Sequence, residues 1–359
     1  MDLPLLIAVV ILTLFGLLMV YSASNYTAEK TYGDGFFFLK KQAVGVIAGL
    51  VCMTFFILFD YRKWKKFSLP LLFLSYILLA LVFVPGISKE SYGAKRWINL
   101  VGFTVQPSEI AKLAYILFFA TYAAKDPERM RTFRGMLPPL LFGGVFLVLI
   151  ILEPNMSITV CFALLIFILL FLSGTRLRNL AAVAAPAALA VPALILAEPY
   201  RLKRLAAFLD PWASPKGEGY QLLQSLYAIG SGGWFGVGLF CSRQKYQFLP
   251  FAESDFILSV IAEEWGFIGC FFLFALLFFI VYRVIVIARR CGDFYGYLLT
   301  LGVGTIFAVQ CAVNALVVTG TIPPTGLPLP LVSSGNTAII VFLSGFGVVL
   351  NVSRHKEEV

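Results

Sequence analysis

The residues able to do chemistry in this sequence are few, and they stand near the ends of long apolar stretches. Pro107-Ser108-Glu109 opens one stretch and Lys112 follows three residues later, so on a helix Glu109 and Lys112 share a face. Asp255 heads another, which also carries the adjacent pair Glu263 and Glu264, about 100° apart on a helix. Arg96-Trp97, Arg243 and Lys245 lie in connections on the same expected side, as does the run Thr321–Asn336 with Ser333 and Ser334. Cations, a carboxylate and an apolar wall on one side describe a pocket for an anionic head group carried on a lipid tail.

Each of these residues has a plainer use. Glu109 and Lys112 form either a structural ion pair or a substrate-facing one. Asp255 is a good N-cap for the stretch it opens, a role compatible with chemistry. Arg96, Arg243 and Lys245 could snorkel to lipid phosphates. Glu263 and Glu264 cannot both face one partner, so one is expected to support packing. Gln310 and Asn314, four residues apart, suit interhelical hydrogen bonds.

The elements that must position these groups are read from composition. Of 359 residues, 60% are apolar and 13% charged, which excludes a disordered or ordinary cytosolic chain. Stretches near 3–23, 42–59, 67–85, 107–124, 137–152, 156–173, 178–197, 256–288, 294–319 and 336–353 are long and lack period-two alternation. They predict an all-α polytopic membrane protein of about ten transmembrane helices, with residues 1–359 forming a single domain. The first stretch is too long for a signal-peptide core and lacks a basic lead, so it is expected to be a retained span.

Alternate connections carry 15 Lys and Arg, and the opposite set carries 6 once the segment 198–255 is set aside. The positive-inside rule therefore predicts a multi-pass protein of the cytoplasmic (inner) membrane with both termini cytoplasmic. The residues above then lie on the extracytoplasmic side. The net charge of +9 comes from short runs between apolar stretches, which argues for topology and membrane lipids and against nucleic acid. The only histidine, His355, lies in the polar tail, so no haem is expected; no nucleotide is expected either. Six cysteines without paired spacing imply no disulfide framework.

Residues 198–255 form a large extracytoplasmic loop between spans seven and eight. It is rich in aromatic and apolar residues and contains glycines at 230, 232, 233, 236 and 238, so it is expected to be ordered, with an amphipathic or re-entrant helix over Tyr220–Gly230. The 33-residue stretch that follows exceeds a roughly 30 Å core, so it should tilt or project outward. The alternation Leu327-Pro328-Leu329-Pro330-Leu331 cannot be a regular helix and must be packed in protein.

In these motifs the chain resembles the SEDS family of shape, elongation, division and sporulation proteins over nearly its whole length. The resemblance runs through Gly93–Trp97, Gln106–Glu109, Phe208–Trp212, Gly219–Gln221, Gly230–Gly233, Ser242–Lys245, Asp255–Ile257 and Thr325–Pro330. The Thr325–Pro330 loop looks like the RodA branch, which is favoured; Phe208–Trp212 and Ser242–Lys245 look more like the FtsW branch. Ser254, Phe251, Ser334 and Asn336 depart from residues common in the family.

The resemblance implies a peptidoglycan glycosyltransferase that polymerises lipid II outside the cytoplasmic membrane for elongation and rod shape, with a class B penicillin-binding protein as transpeptidase partner. It implies Asp255 as the catalytic carboxylate, and the outward pocket read from the residues is expected to be the substrate site, with Arg96, Trp97, Glu109, Lys112, Arg243, Lys245, Ser333 and Ser334. A divalent cation, Mg or Mn, could take Asp255 as a ligand. A lipid II flippase or other transporter is the alternative, but it needs polar paths on both faces; a noncatalytic scaffold would need no acidic centre.

Overall fold

The computed structural model describes residues 1–86, 88–91, 94–100, 103–196 and 199–355. All ten expected stretches are helices: α1 Leu3–Tyr32, α2 Phe37–Leu58, α3 Ser68–Leu81, α4 Pro107–Lys125, α5 Phe133–Leu152, α6 Met156–Leu172 and α7 Leu177–Leu196, then α10 Ile257–Arg289, α11 Phe294–Val318 and α12 Asn336–Arg354. The segment between α7 and α10 adds α8 Pro199–Leu209 and α9 Tyr220–Gly232, the latter where an amphipathic helix was expected. Among the described residues, seven helices are long and apolar enough to cross a membrane, with α3 counted together with the 3-10 turn Tyr61–Phe67 before it. Among the others, α6 has 17 residues and α4 carries Glu109, Lys112 and Lys125. The molecule is a helical polytopic membrane protein.

The chain is not wholly helical. Between α3 and α4, β1 Ser88–Ser91, β2 Ala94–Leu100 and β3 Phe103–Val105 form an antiparallel sheet in the order β1-β2-β3. Three to seven residues are too short for their alternation to stand out in a sequence dominated by apolar runs. Thr337, in the first turn of α12, fastens the sheet: its hydroxyl donates to the Thr104 carbonyl at 3.2 Å and accepts from the Gln106 N–H at 3.1 Å.

Helix packing is close where side chains are small. A Cβ at Gly347 of α12 would lie 2.6 Å from the Met53 carbonyl of α2, and one at Gly16 of α1 would lie 2.4 Å from the Leu331 carbonyl. The Asp2 N–H donates to Ser353 Oγ at 2.9 Å, so the start of α1 and the end of α12 share one end of the bundle. Arg283 of α10 joins them through a 2.5 Å ion pair with Asp2.

α10 neither runs straight nor simply tilts; it breaks at Gly266, where φ is 65° and ψ is −165°. The groups freed by the break are taken up by residues 233–238. Val237 and Gly238 donate N–H groups to the carbonyls of Glu263 and Glu264 at 2.9 and 3.1 Å, while Phe267 and Ile268 donate to the carbonyls of Gly233 and Trp234 at 2.9 and 3.1 Å. Glycine is required here because a Cβ at Gly236 would lie 2.1 Å from the Glu264 carbonyl, and one at Gly266 would lie 2.3 Å from the Gly236 nitrogen.

Candidate active site

The site is built on three consecutive carbonyls, each held by a different donor. The Ser334 N–H donates to Glu253 at 2.9 Å, the Ser333 hydroxyl to Ser254 at 2.6 Å, and the Asn314 carboxamide to Asp255 at 2.9 Å. The same Asn314 group donates to the Leu327 carbonyl at 2.7 Å, and Ser333 Oγ accepts from the Leu329 N–H at 2.8 Å. The irregular proline-rich loop, α11 and the approach to α10 are thereby locked around Asp255. Phe251 opens this approach with φ at 57°, a conformation bulky residues rarely adopt.

Asp255 itself is partly buried, and among the described residues its carboxylate takes no hydrogen bond. Gly326, at φ +68°, lets the loop pass over it; a Cβ there would lie 3.1 Å from Asp255 Oδ2. Burial pushes the Asp255 carboxyl up to about 6, and neighbouring Glu253 adds to the rise, while Arg96 and Arg204 oppose it. Burial raises Glu253 as well. The result is a carboxylate uncommitted to protein donors and within electrostatic reach of two arginines.

Arg96, on β2, reaches the α5–α6 turn, donating to the Glu153 carbonyl at 3.3 Å and the Pro154 carbonyl at 2.5 Å. Arg204, on α8, donates to the Pro324 carbonyl at 3.4 Å, and Ser157 at the start of α6 donates to the Thr325 carbonyl. Both arginines thus hold loop backbone beside Asp255. Trp97, also on β2, is half-buried opposite Lys89.

Other expected site residues have structural duties. Lys112 donates to Glu109 Oε1 at 2.7 Å, with both side chains buried on α4 and the Lys112 ammonium 5.7 Å from the Phe342 ring centroid. The burial and the close contact are those of a structural ion pair, with Glu109 Oε2 left without a partner among the described residues. Lys245 is buried against Glu264 of α10 at 3.0 Å and Ser22 of α1 at 3.3 Å, so it joins helices instead of meeting solvent. Ser333 is committed to main-chain bonds, and Ser334 contributes through its N–H. Arg243 is exposed, and its backbone alone is fixed, donating to Glu263 Oε1 at 3.0 Å.

Glu263 and Glu264 divide the Ser242–Lys245 segment between them, so neither is mere packing support. Glu263 accepts from Ser242 Oγ and from the N–H groups of Arg243 and Gln244; Glu264 accepts from Lys245, Ser22 and the Ser242 N–H. Their 100° separation on the helix spreads them along this turn.

Three site residues escaped the sequence reading. Asn314 was expected to bridge helices, yet it bonds loop carbonyls. Arg204 lies on α8 with Lys203, a basic cluster inside an otherwise apolar segment that could have flagged it. Glu153 occupies the short α5–α6 turn, is buried with both carboxylate oxygens unpartnered among the described residues, and is pushed by burial up to about 8 against the pull of Arg96. A lone acid between two apolar spans was its signal.

Among the described residues no three His, Cys, Asp or Glu side chains converge as a metal cage. A magnesium ion commonly takes only one or two carboxylates and completes its shell with water and substrate phosphates. The uncommitted Asp255 carboxylate fits that partial role.

A membrane-embedded helical bundle, with its irregular loop folded over the Asp255 carboxylate, defines the class. Within that class, the family of FtsW, RodA and SpoVE cell cycle proteins matches residues 3–358, and the chain belongs to it. A probable peptidoglycan glycosyltransferase FtsW of Trichlorobacter lovleyi is 43% identical over 98% of this chain and 93% of its own length. Stage V sporulation protein E of Bacillus subtilis is 38% identical over 99% and 97%. A solved structure described as a peptidoglycan synthase complex coordinating polymerization and crosslinking superposes with a TM-score of 0.83 at 29% identity, covering 100% of this chain and 99% of the other. The D255A mutant of the rod shape determining protein RodA from Thermus thermophilus gives 0.73 at 26%, with the same coverage.

Proposed function

We propose that this chain polymerises lipid II into glycan strands, with Asp255 as the catalytic carboxylate. The enzyme is a peptidoglycan glycosyltransferase. One sugar hydroxyl attacks the anomeric carbon of another sugar, forming a new C–O bond as the bond to the diphosphate breaks and its electron pair leaves with the diphosphate. The hydroxyl proton passes to Asp255, whose elevated proton affinity suits a base near neutral pH. Arg96 and Arg204 supply positive potential beside the leaving diphosphate. Were Asp255 instead to hold a divalent cation, that cation would supply Lewis-acid stabilisation of the charge and the proton would go to another base. The uncommitted Asp255 carboxylate, fixed by three carbonyl anchors, carries this reading.

The Asp255 end is assigned to the extracytoplasmic face and the termini to the cytoplasm. The supporting observation is the surplus of Lys and Arg in connections at the termini's end. The relatives at 38–43% identity named for division and sporulation favour a septal or sporulation role over the elongation role expected from Thr325–Pro330. The similarity to a polymerization-and-crosslinking complex supports a class B penicillin-binding protein as partner.

The test is polymerisation of purified lipid II by the full chain, with and without that partner, comparing wild type with Asp255→Ala. Glycan chains from wild type and none from well-folded Asp255→Ala are expected. Normal polymerisation by the variant would remove Asp255 from the mechanism, and lipid II translocation without polymerisation would indicate a flippase.

A further inference from the structure

At the end opposite Asp255, two cavities join into one wedge between α6, α10 and α11. The first has a volume of about 580 Å³ and is lined by polar groups including Arg131, Ser173, Arg289 and Asp293. The second, about 310 Å³, continues from it along an apolar groove of Ile168, Val281, Ile285, Leu301 and Ala308. Leu172, Ala288, Arg289 and Tyr297 belong to both, so the polar mouth opens directly into the groove.

Of the charged groups at the mouth, both carboxylates and Arg131 are engaged by protein partners, and Arg289 is left to offer its donors. Glu128 is paired with Arg131 at 2.9 Å, and Asp293 accepts from the Tyr61 hydroxyl at 2.5 Å and the Gly296 N–H at 3.3 Å. Among the described residues, the exposed Arg289 makes no side-chain hydrogen bond or ion pair, and neither does exposed Arg290 beside it. The mouth therefore offers the Arg289 guanidinium, unpaired among the described residues, at a membrane boundary where phosphate is the abundant partner.

The groove has the length of one leaflet. From Arg289 back to Val281 along α10 is about 12 Å, and from Tyr297 to Ala308 along α11 about 17 Å, against about 15 Å for half of a hydrocarbon core. We propose that this wedge binds an anionic glycerophospholipid, with its phosphate on Arg289 and one acyl chain laid between α10 and α11. The site is separate from the Asp255 site and does not depend on the activity proposed for it.

The full chain would be purified in mild detergent, loaded with phosphatidylglycerol or phosphatidylcholine, and the retained lipids counted by native mass spectrometry. Wild type should retain one phosphatidylglycerol at least fivefold more often than phosphatidylcholine. Arg289→Gln should abolish that preference and Arg289→Lys should keep part of it. Ala308→Phe, which fills the groove without touching the charges, should lower retention of both lipids. Equal retention of the two lipids by wild type, or unchanged retention in both Arg289→Gln and Ala308→Phe, overturns the proposal. Competition by millimolar inorganic phosphate alone would reduce the site to an anion site without a tail groove, and would overturn it too.

Discussion

Asn314 and Asp255 are 59 residues apart in sequence, yet the carboxamide of the first donates to the carbonyl of the second at 2.9 Å. The same group holds Leu327, so one side chain fixes the spacing between the carboxylate and the loop that covers it. Asn314→Ala leaves the buried Leu327 carbonyl and the part-buried Asp255 carbonyl without their donor, at about 1–3 kcal/mol of stability for the buried one. As a positioning residue, Asn314 should act on turnover: kcat is expected to fall about tenfold to a hundredfold while KM for lipid II changes little. A rise in KM with unchanged kcat would place Asn314 in substrate binding instead.

Polymerisation should titrate with Asp255. Its carboxylate must be ionised to take a proton, so the rate is expected to rise with pH through about 6 and then level off. Stability moves the other way. The folded-state value lies above the ordinary one near 3.9, so the folded chain holds this proton longer than the unfolded chain, and stability falls as pH rises from about 4 to about 6. Glu153, raised to about 8, extends the same slope upward. Glu153→Gln should leave the thermal midpoint nearly unchanged at about pH 4, below both the unfolded and the folded values, and raise it by about 2–4 °C or more at about pH 8.5. Thermal unfolding in detergent across pH checks both.

Glu109 and Lys112 should behave as one unit. Both are buried, so removing either strands a charge and is expected to cost about 3–5 kcal/mol, whereas Glu109→Met with Lys112→Leu should be nearly neutral. A double-mutant cycle on thermal or chemical unfolding measures the coupling; additive single effects would contradict the pairing.

The two cations of the Ser242–Lys245 segment should separate cleanly. Lys245→Gln strands Glu264 and should lower stability. Arg243→Gln removes an exposed guanidinium and should leave stability within about 0.5 kcal/mol of wild type. Initial rates over a range of lipid II concentrations then decide the role of Arg243: a raised KM assigns it to substrate, and unchanged kinetics return it to the interface.

The ten helices were legible because each is a long apolar run, a signal that depends on composition alone. The sheet was not, because its strands are short and stand beside far stronger patterns. At the site, Asp255, Arg96 and the Ser333–Ser334 turn were legible as polar groups on one side, but Asn314, Arg204 and Glu153 were not read as site residues, because contact across the bundle leaves no mark on local spacing. Lys245 and Arg243 look alike in sequence, two residues apart in a polar loop. Only the fold turns one inward onto Glu264 and leaves the other exposed. Asn314 was read as interhelical because its spacing from Gln310 suits that use; its carbonyl partners come from loops whose paths no periodicity predicts.

The break at Gly266 bears on how the chain is made. Residues 233–238, which take up the freed carbonyls and N–H groups of α10, precede that helix in the chain and so emerge from the ribosome before it. A helix entering lipid with four backbone groups exposed would resist partitioning from the insertion machinery. Here the complementary segment has already been synthesised when the break arrives, so the order of residues along the chain supplies the partner before the need for it.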